Sequence, residues 1–201
     1  MKLIVVTTPR FFVEEDQIIT TLFEEGLDIL HLKKPETPAM YSERLLTLIP
    51  EKYHRQIVTH EHFYLKEEFN LMGIHINPRN TKEPEEYSGS VSITCSTIDE
   101  LKQKKHFYDY VLLDPIYDCI IQDFSVRFPP EVLRKARKEK LIDSKVFASG
   151  GVTIENIEQL KEFGFGGVVI MSDLWNKFNA CSDNNYQDLI AQFRRIKKLI
   201  D

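Results

Sequence analysis

Cysteine is scarce and scattered: Cys95, Cys119 and Cys181 are the only three in 201 residues. An odd, widely spaced set excludes a disulfide framework and offers none of the paired spacings of a zinc site, so a reducing cytoplasm is the expected setting. No apolar run approaches membrane-spanning length, and a charge and a proline interrupt MKLIVVTTPRFF, which therefore does not read as a signal peptide. No membrane partner is expected. Positive charge is not in excess: 26 Lys and Arg stand against 31 Asp and Glu, a formal net charge of -5. That balance gives no global pull toward nucleic acid or anionic lipid. No linker, low-complexity tract or composition break divides the chain, so residues 1–201 read as one domain.

What is present is a repeated alternation, in a chain that is 42% hydrophobic and 28% charged. KLIVV (2–6) is a β-branched run and predicts a strand. FFVEEDQIITTLFEEG then shows helical spacing, with Val13, Ile18, Leu22 and Phe23 as its apolar positions and Gly26 as a stop. Further strands are expected at 28–33, 55–60, 72–76, 91–95, 109–114, 145–149 and 167–171, each followed by a helix-like run. NPRNTKEPEEYSG reads as loop, Thr97 as a helix start, and PIYDCIIQDFSVRF as a long ordered loop. Eight strand–helix units imply a parallel sheet with crossover helices, and eight is the count that closes a (β/α)₈ TIM barrel. An open doubly wound sheet is the alternative.

In such barrels reactive groups sit at the C-terminal strand ends. Reading those ends collects Thr7, His31, Lys33, Thr59, His60, His75, Asn77, Thr94, Asp114, Ser149 and Ser172. Period two puts His31 and Lys33 on one face of LHLK, and His75 and Asn77 on one face of GIHIN. A single inward histidine reads as a hydrogen-bonded core residue. Two of them beside a lysine point to a polar pocket, because a buried ammonium needs a partner. Cys119 has no local base and reads as a small apolar residue. EVLRKARKEK reads as a solvated helix face, and Trp175 and Phe178 as packing, with a dimer interface as the alternative.

The stretch VFASGGVTIENIEQL (146–160) ends an apolar run on two glycines and turns into a helix-like segment that Thr153 can cap. Glycine N–H groups can approach a phosphate closely, and a tight turn without a ligand is the plain alternative. GVVIMSDLW places Ser172 and Asp173 at a second helix start, so the two segments match the phosphate site built after strands 7 and 8 of these barrels.

With DILHLKKP, IVTHEHFYLKEEFNLMGIHIN, SITCSTIDELKQ, YDYVLLDPIYD and FASGGVTIENIEQLKEFGFGGVVIMS in order, the chain resembles the thiamine phosphate synthase and thiazole tautomerase (TenI) family over nearly its whole length. The resemblance implies a (β/α)₈ barrel in which Gly150, Gly151, Met171 and Ser172 surround the phosphate of a thiazole phosphate. Its departures are concentrated in the synthase machinery. The family's magnesium aspartate aligns with His60 and the adjacent asparagine with Thr59. A second aspartate aligns with Asn80, an arginine with Lys33, and two lysines with Pro35 and Gln122. Displacing diphosphate with magnesium needs carboxylates that these positions do not supply.

A tautomerase needs a phosphate site and a proton shuttle, and no metal or other cofactor. His31 matches a family histidine, whereas the tautomerase's catalytic histidine aligns with Asp114, so the proton carrier is expected to be Asp114, His31 or His75. Lys33, Thr59, His60 and Thr94 are expected to line the substrate pocket. The expected partner is a small phosphate ligand, with a homo-oligomer left open. The alternatives are an active synthase with an unusual magnesium site at Glu61 or Asp118, a non-catalytic thiazole or thiamine phosphate binder, and another isomerase on the same barrel.

Overall fold

The computed structural model describes residues 1–117, 128–178 and 186–201. Eight parallel strands close into a barrel in sequence order, β1 pairing with β8. They are β1 (Lys2–Val6), β2 (Ile29–Leu32), β3 (Ile57–Thr59), β4 (Gly73–Ile76), β5 (Ser90–Cys95), β6 (Tyr110–Leu113), β7 (Val146–Ala148) and β8 (Gly167–Ile170). The helices between and after them are α1 (Glu15–Glu24), α2 (Ala39–Leu48), α3 (Leu65–Glu68), α4 (Ile98–Lys104), α5 (Pro130–Lys138), α6 (Ile157–Glu162), α7 (Ser172–Trp175) and α8 (Gln187–Ile200). The closed ring excludes the open doubly wound sheet. No helix among the described residues is long and apolar enough to cross a membrane.

The strands are continuous apolar runs because both of their faces are buried. Period two then separates two cores. Outward residues such as Leu3, Val5, Leu30 and Ile74 pack under the helices. Inward residues Ile4, Val6, Ile29, Val58, Leu112 and Val169 fill the barrel beside Tyr110 and Phe147. Among these apolar groups, β2, β4 and β5 also turn polar side chains inward: His31, His75, Ser92 and Thr94.

The local grammar of the helices is mostly as expected. Gly26, at φ +93°, ends α1, and the Leu27 and Gly26 N–H groups donate back to Leu22 O and Phe23 O at 2.9 and 3.0 Å. This is the paired closure that lets glycine terminate a helix. Thr97 caps α4, its Oγ1 accepting from Glu100 N at 3.0 Å.

Three expectations are corrected. Val13 is 85% exposed, because α1 starts two residues later and its buried face is Ile18, Ile19, Leu22 and Phe23. Thr153 does not cap a helix: α6 begins at Ile157, and the Asn156 side chain accepts from Thr153 N instead. A six-residue 3₁₀ turn, Glu51–Gln56, stands before β3 where the strand was expected to begin. Trp175 is buried and packs edge-on against Phe12, as expected of a packing residue. Cys119, Asp118, Gln122, Cys181 and most of the loop 115–128 lie outside the described residues.

Candidate active site

Three adjacent strands bring three histidines together inside the barrel. The register sets His31 opposite Val58 and His75 opposite Ser92, and His60 follows β3 on the same inward parity as Val58. His31, His60 and His75 are 0%, 5% and 2% exposed. His31 Nδ1 lies 2.9 Å from His60 Nε2, and His31 Nε2 lies 2.7 Å from the Tyr110 hydroxyl. His75 Nδ1 and Nε2 lie 2.8 and 3.0 Å from Ser92 Oγ and Thr94 Oγ1. The His60 and His75 rings stack with centroids 4.3 Å apart.

Burial holds all three imidazoles neutral. It pushes His31 and His60 well below the ordinary histidine range, reinforced by the neighbouring histidines and by Lys33. It takes His75 down to about 3, with Lys33 as the lesser cause. An apolar surround disfavours the imidazolium, and nearby positive charge adds to that.

Lys33 itself is exposed, which overturns the reading of it as a buried ammonium. The buried ammonium is its neighbour: Lys34 Nζ donates to Glu15 Oε1 at 2.5 Å and to Arg10 O at 3.1 Å. Because β2 ends at Leu32, the two lysines lie beyond the sheet, and Lys34 turns back under the loop that follows β1. The charge of Lys33 still reaches the histidines from the mouth.

Thr59 and His60 part company. Thr59 lies on the parity opposite Val58, and its hydroxyl donates to Glu61 O at 2.5 Å. Asn77 and Asn80 both aim side-chain N–H groups at His60 O, at 2.7 and 3.3 Å. The positions that align with the family's magnesium carboxylates thus present an imidazole and an amide donor. Magnesium takes oxygen ligands. Glu61 is the nearest carboxylate in sequence, but its Oε2 accepts from Lys34 N at 2.9 Å, and burial raises its pKa. These residues do not fit a magnesium ion.

Asp114, just past β6, is half-buried, and its Oδ2 accepts from Ser149 Oγ at 2.5 Å. The glycine pair sits directly beside it. Gly150 and Gly151 have φ of +81° and +65°. A Cβ on Gly150 would lie 2.6 Å from Pro115 Cα and 3.1 Å from Asp114 Oδ2, and one on Gly151 would lie 2.8 Å from Tyr117 Cβ. The glycines are therefore required by the packing of this loop on the one after β6, whether or not a ligand binds.

The loop is also tied to the next one, since Asp173 Oδ2 accepts from Ile154 N at 3.2 Å and from Gln192 Nε2 at 3.0 Å. Among the described residues, the N–H groups of Gly150, Gly151, Ser172 and Asp173 donate to no protein acceptor. Met171 and Ser172 are exposed beside them. Free N–H groups of this kind suit an anion.

Tyr110 and Ser92 escaped the reading of strand ends because they sit lower in the barrel. Period two from Asp114 and from Thr94 would have found both.

The comparisons with known proteins bear on this arrangement as a whole. A family model described as thiamine monophosphate synthase matches residues 3–174. The thiamine-phosphate synthase of Flavobacterium johnsoniae is 25% identical over 175 residues, covering 78% of this chain and 81% of its own. The crystal structure of thiamine phosphate pyrophosphorylase from Bacteroides thetaiotaomicron superposes with a TM-score of 0.92 at 65% identity, covering 99% of this chain and 97% of that one. The thiamine phosphate pyrophosphorylase of Pyrococcus furiosus shares the fold, with a TM-score of 0.77 at 15% identity over 98% and 94% of the two chains. The chain belongs to the thiamine monophosphate synthase family.

Proposed function

We propose that the protein binds a thiazole carboxylate phosphate at the barrel mouth and moves a proton on it without magnesium. The observation that carries this reading is the pairing of a carboxylate with an anion cradle. Asp114 Oδ2 lies next to Gly150, whose N–H, like those of Gly151, Ser172 and Asp173, donates to no acceptor among the described residues. In this reading those N–H groups hold the phosphate, with Met171 beside it. The Asp114 carboxylate removes a ring proton as base and, as the acid so formed, returns it at a second ring atom, so no co-reactant is consumed. Ser149 orients the carboxylate. Lys33, Thr94 and the His60 face line the substrate, and His31 and His75 are the alternative proton carriers. Thr59 enters only through the backbone it braces at Glu61.

A synthase reading is favoured by one observation, the 65% identity to a protein described as a thiamine phosphate pyrophosphorylase. One assay separates the two. Purified protein is given the thiazole carboxylate phosphate, a pyrimidine diphosphate and magnesium, and products are followed by NMR and chromatography. The expected result is conversion of the thiazole to its aromatic isomer, unchanged when magnesium is chelated. Thiamine phosphate above the blank would establish the synthase instead, and neither product would leave a binder. Asp114→Asn is expected to lower the isomerisation rate by about 10²–10⁴-fold, the range for loss of a general base. Full activity in that variant would move the proton to a histidine.

A further inference from the structure

We propose that His31, His60 and His75 form a binding site for a borderline transition-metal ion of the zinc, cobalt(II) or nickel(II) class. One ring nitrogen from each lies within 4.8 Å of the others, and all three side chains are buried on neighbouring strands. Three neutral imidazoles and no carboxylate make a donor set that suits these ions and not magnesium.

The surroundings are arranged as such a site requires. A metal-bound imidazole usually has its other nitrogen held by a hydrogen-bonding partner, which fixes the ring. His31 has Tyr110 at Nε2, leaving Nδ1 toward His60. His75 has Ser92 at Nδ1, leaving Nε2 toward the half-buried Thr94. His60 Nδ1 has no hydrogen-bond partner among the described residues, so His60 can offer either nitrogen while the other keeps the ring N–H.

The geometry needs a small adjustment. A tetrahedral ion with nitrogens at about 2.0–2.1 Å holds them about 3.3 Å apart. The His31–His60 pair must open slightly from 2.9 Å, while the third nitrogen must close in from as far as 4.8 Å. His75 therefore gives up Thr94 and turns away from its stack on His60. Each neutral ring keeps one N–H, so the proton between His31 and His60 moves to the outer nitrogen of its own ring when that contact gives way to the ion. Lys33 opposes a cation, but its side chain is exposed and can swing into solvent. Three ligands leave a tetrahedral ion one position for water or an incoming acidic group.

The test uses metal alone and is independent of any catalytic assay. Metal-stripped full-length protein is titrated with cobalt(II), read by its visible absorption, and with zinc(II), read by calorimetry and histidine-ring NMR. The expected result is one equivalent bound, intense tetrahedral cobalt bands, and ring shifts at His31, His60 and His75 with the buried His54 and the exposed His106 unmoved. His60→Ala and His75→Gln are expected to weaken binding by at least about 10-fold, and Tyr110→Phe by about 10-fold through the lost outer partner. No binding, weak octahedral bands, or unchanged affinity in a folded His60→Ala variant would overturn the proposal. If the variants fail to fold, the wild-type ring shifts decide alone.

Discussion

Lys34→Met is expected to lower the stability of the folded barrel by about 3–5 kcal/mol, read as a fall in the urea midpoint. The reason is what it leaves behind. Lys34 and Glu15 are each 1% exposed at their side chains and meet at 2.5 Å. Among the described residues, Glu15 Oε2 already lacks a hydrogen-bond partner. Removing the ammonium leaves Glu15 buried without a counter-charge, so its carboxyl must stay charged and unpaired or take up a proton. It also releases the Arg10 carbonyl and the Phe11 ring, which lies 4.4 Å under the ammonium, so the loop after β1 loses its clasp on the loop after β2. Replacing both partners by Glu15→Gln and Lys34→Met together should cost less than Lys34→Met alone, because no charge is then stranded. Equal losses in the single and double variants would sink this account.

The same pair sets a pH dependence with a definite sign. Burial raises Glu15 from its ordinary 4.5 to about 7, and the attraction of Lys34 offsets only part of the rise. Between those values the folded state binds more protons than the unfolded chain. The stability contributed by Glu15 is therefore complete below pH 4.5 and is lost as pH rises through about 7. The slope is at most about 1.4 kcal/mol per pH unit. Lys34 is lowered by burial, so its own contribution runs the other way, present above its ordinary 10.5 and lost as pH falls through the folded value. Urea midpoints measured across the acid range should decline toward neutrality in the wild type and flatten in Glu15→Gln.

Ser172→Asp is expected to weaken binding of a phosphate ligand by about 100-fold, or about 2.7 kcal/mol. A carboxylate placed there would face the proposed phosphate at close range, and two like charges about 4 Å apart near a protein surface repel by roughly that much or more. Stability should stay within about 0.5 kcal/mol of the wild type, since Ser172 is exposed and an acidic side chain suits a helix start. Gly151→Asp, the more obvious probe, confounds two effects. At φ +65°, with a Cβ 2.8 Å from Tyr117, it strains the loop before any ligand arrives. Undiminished phosphate affinity in Ser172→Asp, measured by calorimetry, would remove the phosphate from this end of the barrel.

The eight strands could be read directly from the sequence because each is a compact apolar run between turn residues, and the observed ends fall within a few residues of the expected ones. Inward parity also placed His31 and His75 correctly. What failed was information that no local window contains. Parity continued past the end of β2 put Lys33 inside, but the chain leaves the sheet there, and the buried ammonium is Lys34, held by a glutamate 19 positions earlier. Glu15 lies in the polar run EED, where nothing marks one carboxylate for burial. Thr59 and His60 were grouped by adjacency although period two sends them to opposite faces. Thr153 resembles a cap because it precedes an acidic first turn, yet the chain first turns through Ile154, which donates to Asp173, and Asn156, which bonds back to Thr153 and Gly151, before α6 begins. The contact of His60 with His31 needs β2 and β3 paired in register, 29 positions apart in sequence.

Trp175 gives the molecule an optical handle on its own mouth. It is the single tryptophan of the chain, 7% exposed, at the end of the short helix that Ser172 begins. Its indole N–H donates to Val6 O at 2.7 Å, on the strand that closes the ring with β8. Native emission should be blue-shifted, as for an indole out of water. Opening of the β1–β8 seam should move it to the red, since the indole loses its dry surroundings and its carbonyl partner together. An anion settling on the Ser172 N–H lies three residues away from that fluorophore. One emission spectrum thus reports on the integrity of the ring and, if the proposed anion binds at Ser172, on the occupancy of the mouth, without a label.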